Sequence, residues 1–160
     1  MAGLLWMKDN GFDVKNIETF DYEKFITFKE QYLYDFYGKE VGESQISHSD
    51  INQEFKYAEE FIKKISNEVR IPTIDDAKRL LEEGYLIICN VNYHVLNNNP
   101  GYSGHFVVVK GFDGKKFVLH DPGPPPIENR VVDFETFEKA WAFPDESTKG
   151  IMAFKLGKVS

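Results

Sequence analysis

Apolar residues recur along the chain with two different periods, and the change from one to the other divides it. From Tyr22 to Tyr37 the aromatics Tyr22, Phe25, Phe28, Tyr32 and Phe36 return at helical spacing with Gly38 behind them, which predicts one helix with an aromatic stripe turned to the core. Gly38 to Ser49 reads as a polar loop. Ser49 or Asp50 then caps a second helix, with Gln53 completing a loosened capping box and Phe55, Ala58, Phe61, Ile62, Ile65 and Val69 forming its apolar face. Thr73, with Asp76 at the third helical position, opens another helix whose stripe is Ile74, Ala77, Leu80 and Leu81 and which stops at Gly84. Ahead of these, Leu4, Leu5, Trp6 and Met7 predict an opening helix from Met1 to Asn10, ended by Gly11, and the short alternating run from Phe12 to Ile17 predicts an edge strand or an extended connection.

After Gly84 the helical period is lost. Tyr85 to Val91 is an apolar run rich in branched residues and predicts a buried strand. A loop of Asn, Gly and Pro from Asn97 to Gly104 leads to His105 through Val109, apolar on both alternating faces, the pattern of a central strand covered on two sides. Asp113-Gly114 suits the two central positions of a hairpin turn, so Lys116 to His120 should return antiparallel until Pro122 stops it. Pro124 to Pro126 reads as a stiff crossing, Asp133 caps a short helix carrying Phe134, Phe137 and Trp141, and Ile151 to Leu156 is a last strand. Helices first and mainly antiparallel strands afterwards is the α+β pattern, in one domain over residues 1–160.

The hairpin has a chemical consequence. His105 opens the incoming strand and Asp121 closes the outgoing one, so a tight turn returns both to the same end of the sheet. A carboxylate beside an imidazole fixes its tautomer and stabilises its protonated form, as a general base acting on a nucleophile requires. The plainer alternatives are a histidine packed at a strand rim and an aspartate forming a turn before proline.

Composition narrows the function classes. A net charge of −7 with no basic stripe argues against a nucleic-acid partner. The single cysteine, Cys89, excludes an internal disulfide framework and a cysteine-based zinc site. His94, His105, His120 and Asp121 are the candidate metal ligands, but His120 alternates away from Asp121 and the direction of His94 is unset, so no metal and no cofactor is expected. With no apolar run of membrane-spanning length and no signal-peptide pattern, the expectation is a soluble, cytoplasmic protein that does not enter a membrane.

The elements Gly104-His105, Phe106 to Val109, Gly111-Phe112-Asp113 and Asp121-Pro122 together resemble the peptidase C39-like branch of the papain-like cysteine peptidases, and the helix and strand from Asp76 to Val91 are similar to the lead-in of these domains. The resemblance implies a papain-like α+β fold in which N-terminal helices pack on a C-terminal sheet, with His105 as base, Asp121 as its orienting partner, and a peptide or other amide as substrate. It also implies a nucleophilic cysteine at the start of the first helix, preceded by a glutamine that helps form the oxyanion hole. Matching Gly11 to the glycine that ends that helix puts the cysteine about three residues before Met1. Neither residue is in this sequence, and Cys89, set among Ile87, Ile88 and Val91, has the surroundings of an inert core thiol. Two expectations follow: a cysteine hydrolase whose true start lies upstream of Met1, or a degenerate domain that holds a peptide or a partner protein in the old cleft.

Overall fold

The computed structural model describes residues 1–157. Its centre is a seven-stranded sheet built from β1 (Phe12–Glu18), β2 (Ser66–Val69), β3 (Leu86–Asn92), β4 (Gly104–Asp113), β5 (Lys116–Asp121), β6 (Ile127–Asp133) and β7 (Gly150–Leu156), in the order β2-β1-β7-β3-β4-β5-β6. Only β1 and β2 pair in parallel, so the α+β architecture holds. The helices are α1 (Ala2–Asp9), α2 (Tyr22–Phe28), α3 (Glu30–Tyr37), α4 (Lys39–His48), α5 (Ile51–Lys64), α6 (Ile74–Glu82), α7 (Tyr93–Leu96) and α8 (Phe134–Trp141).

Strand alternation sorts the side chains into two cores. On one face Ile87, Cys89, Val91, Val107, Val109, Phe117 and Leu119 meet Ala77 and Leu80 of α6, Leu96 of α7, and Phe137, Ala140 and Trp141 of α8. On the other, Val14, Met152 and Phe154 meet Leu4 and Leu5 of α1, Phe25, Tyr32 and Leu33 of α2 and α3, and Ala58 and Phe61 of α5. This second layer stops at β7. The same face of β3, β4 and β6 is left open, with Leu86, Phe106 and Val131 exposed.

Several expectations change. The aromatic stripe is core as predicted, but Lys29 at φ 57° breaks the single helix into α2 and α3 and leaves Phe28 exposed. The expected polar loop before Ser49 is α4, which buries only Gly42, seated against Leu33 and Tyr34, so its sequence carries little amphipathic signal. The helix projected to Val69 ends at Lys64, because residues 66–69 pair with β1. That pairing also makes β1 an interior strand rather than an edge. β4 is interior too, yet it is covered on one side only, since the helices do not reach Phe106. The hairpin turns on Gly114-Lys115, one residue later than Asp113-Gly114, with Asp113 opposite Lys116 and Gly114 supplying φ 57°. The prolines, read as a stiff crossing, lead straight into strand β6, an element the sequence pattern did not predict.

The caps are local and came out as expected. Asp50 accepts from the Gln53 amide at 3.1 Å, and Thr73 and Asp76 form a reciprocal capping box. Asp76 also takes a two-pronged bond from Arg70, which holds its carboxyl well below the usual range despite partial burial.

Candidate active site

His105 and Asp121 meet. His105 shares a face with Val107, Asp121 shares one with Leu119, and the β4–β5 register makes these the same face of the sheet. The result is a bond of 2.6 Å between His105 Nε2 and Asp121 Oδ1, at side-chain exposures of 13% and 2%. With Nε2 committed to the carboxylate, Nδ1 is the ring atom left to exchange a proton, and it has no hydrogen-bond partner among the described residues. The ring of Tyr93 stands edge-on to the imidazole at 5.4 Å and limits how far it can swing.

Asp121 is held from three sides. The Gly123 amide donates to Oδ1 at 3.0 Å, and Arg130 Nη1 donates to Oδ2 at 2.8 Å. Burial pushes this carboxyl up, but the bonds from His105, Gly123 and Arg130 outweigh it, and the group stays below its ordinary value. An ionised carboxylate is therefore kept next to the ring across the neutral range.

Arg130 lies opposite Leu119 on β6, on the face that Asp121 shares. Its other nitrogen donates to Leu96 O at 2.7 Å and to Asn97 Oδ1 at 3.0 Å, so one partly exposed guanidinium ties the end of α7 to the carboxylate. Asn92, 1% exposed, donates to Gly101 O and accepts from the amides of His94 and Ser103. These bonds set the loop that delivers Gly104 and His105 to the strand. Neither Arg130 nor Asn92 was singled out from the sequence. The branched pair Val131-Val132 after the prolines was the available sign of a strand at Arg130.

The other histidines stay apart from the dyad. His94 lies on α7 and packs against Gly101, while His120 is exposed on the face opposite Asp121. No group of three or more His, Cys, Asp or Glu among the described residues is placed to hold a metal ion. Cys89 is fully buried and burial drives its thiol far above the ordinary value, so it cannot supply a thiolate. No described helix is long and apolar enough to cross a membrane.

A groove of about 620 Å³ lies between the start of α1 and the open sheet face, with Met1 on one wall and Asn90 of β3 and Phe106 of β4 on the other. By alternation Phe106 faces this groove and His105, one residue earlier, belongs to the opposite face at the strand's end.

The α+β fold agrees with what sequence comparison finds. The sequence model of the Peptidase_C39 like family matches residues 12–144, and the chain belongs to that family. A crystal structure described as a C39-like peptidase from Bacillus anthracis is similar at 22% identity and a TM-score of 0.42, over 54% of this chain and 49% of the other. The match thus spans about half the length of that protein. No curated protein matches the chain.

Proposed function

We propose that this domain is a peptidase C39-like amide hydrolase of the cysteine type, with His105 as general base and Asp121 as the residue that orients it. The observation that carries the reading is the His105 Nε2 to Asp121 Oδ1 bond of 2.6 Å, made with a carboxylate that Arg130 and Gly123 keep ionised. That bond selects the tautomer with the proton on Nε2 and leaves Nδ1 basic. Nδ1 would take the proton of a thiol, the thiolate would attack the amide carbonyl, and the imidazolium, steadied by Asp121, would return the proton to the departing amine. By the family resemblance the thiol belongs at the front of the first helix, where the helix dipole favours a thiolate. Since α1 packs on the other face of the sheet, that thiol would have to meet Nδ1 around the end of β4. Residues 1–160 hold no cysteine at the helix front.

That last fact supports a second reading, in which the same cleft holds a peptide or partner protein without cleaving it. The two are separated by exposing the protein, made from its own gene with the upstream DNA included, to a thiol-directed peptide electrophile and locating the adduct by mass spectrometry. An adduct on a residue other than Cys89 that disappears in His105→Ala supports the hydrolase. Intact, unlabelled protein that still binds peptides supports the binding domain.

A further inference from the structure

The groove beside the dyad has two chemically different ends. The β1–β7 register sets Glu18 opposite Gly150 and the β3–β4 register sets Asn90 opposite Phe106, while the β3–β7 pairing ends at Ile88 opposite Met152, two residues before these two pairs. Phe106 and Glu18 are three strands apart on the open face, about 14 Å at the usual strand spacing.

At the β4 end the surface is aromatic. Phe106 is 56% exposed, and next to it the rings of Tyr102 and Phe143 stack at 5.4 Å around a small hollow of about 120 Å³ that also touches Asn90 and Gly104. At the β1 end the surface is anionic. Glu18 Oε1 is fixed by Asn16 Nδ2 and by the Tyr22 hydroxyl, both at 2.6 Å, and its second oxygen has no partner among the described residues. The cavity continues past Glu18 toward Glu54 between Tyr22 and Tyr37. Burial first, and then the neighbouring Glu18 charge, drive the Tyr22 phenol upward, so it stays a neutral donor to Glu18. The groove's one lysine does not offset this charge. Lys149 is 4% exposed, and its ammonium is occupied by Glu138 and Glu146.

We propose that this groove binds an extended peptide across the strands, with an apolar or aromatic side chain on Phe106 and the Tyr102–Phe143 stack and a basic side chain at Glu18. At the rise of an extended chain the two anchor residues are about four positions apart. The inference rests on the reading of the cleft as a peptide site and names the peptide's class, and it requires no turnover.

The test is fluorescence anisotropy with labelled, capped pentapeptides: Phe-Ala-Ala-Ala-Arg, the same peptide ending in Glu, and the Arg peptide with Ala in place of Phe. The Phe/Arg peptide should bind about tenfold or more tighter than each of the others, the size of one charge or one aromatic contact. Glu18→Gln keeps the acceptor for Asn16 and Tyr22 but removes the charge, and should abolish the preference for Arg over Glu. Phe106→Ser should abolish the preference for Phe over Ala while leaving the charge preference. Affinity of the unaltered protein for the Phe/Arg peptide should fall as salt is raised, a reading independent of how any variant folds. Binding is read without turnover, so a missing nucleophile cannot be confused with a failed groove. Equal binding of the Arg and Glu peptides, or a charge preference that survives Glu18→Gln in a protein with unchanged melting temperature, overturns the proposal.

Discussion

The core under α6, α7 and α8 and the core under α1 to α5 are filled differently. The first is mainly aliphatic, with Ile87, Val91, Val107, Val109, Leu80 and Leu119 against the four aromatics Tyr85, Phe117, Phe137 and Trp141. The second is aromatic, with Phe20 meeting the rings of Tyr22, Phe25, Tyr32 and Phe36 at 5.0–5.4 Å. The first seals the sheet along β3, β4 and β5, where a His–Asp–Arg cluster built on the buried Asp121 closes its end. The second seals only β1 and β7, and its short reach is what leaves a groove. One half therefore supplies positioned chemistry and the other half shapes the space beside it.

The sharpest contrast lies in what a polar deletion costs. Asp121→Ala leaves the Arg130 guanidinium, 14% exposed, without its carboxylate and should lose about 3 kcal/mol in urea unfolding. That is the low end of the cost of breaking a buried ion pair from one side, because the arginine keeps some water and its bonds to Leu96 and Asn97. If it costs no more than a surface change, the first half is not organised around that cluster. In the aromatic half, Phe20→Ala removes the hub of four ring contacts and should cost about 3 kcal/mol. An unchanged midpoint would mean that the surrounding rings close over the space.

Asp121 also gives the motif half an acid sensitivity. Its folded value is lowered, so the unfolded chain binds the proton more readily. The stability it contributes is complete above about pH 4, the ordinary carboxyl range, and is lost as pH falls through the folded value. Asp121→Asn should therefore flatten the acid limb of a stability–pH curve, although Asp76, also lowered, will keep part of it. Smaller still, Thr73→Ala should cost about 1 kcal/mol through the lost cap of α6. His105→Ala should cost about 1 kcal/mol or less, because Arg130 and Gly123 still hold Asp121. A larger loss would make His105 a packing residue first.

The legible parts of this molecule are those whose cause is near in sequence. Asp50, Thr73 and Asp133 each cap a helix through an amide three residues on, and the period-two run after Gly84 carried its own register through a short turn. The turn returns His105 and Asp121 to one end of the sheet, but the bulge after Val109 is what puts them on one face, because it sets Asp121 level with Val107 rather than with Val108. The less legible parts have distant causes. Residues 66–69 are a strand because β1 lies beside them, α4 is a helix because Leu33 and Tyr34 receive Gly42, and Arg130 is held in place because Asp121 and the end of α7 take its donors.

The sequence by itself determined the caps, the hairpin, the separation of an aromatic helical half from a strand-rich half, and the proximity of an imidazole and a carboxylate at one sheet end. Only the tertiary structure decided that β1 is interior, that β4 keeps one face open, and that Arg130 completes the cluster. The physical reason is range: backbone periodicity and capping act within a few residues. Which face of a strand is covered depends on how far a helical layer packed from elsewhere in the chain extends, and no local pattern encodes that distance.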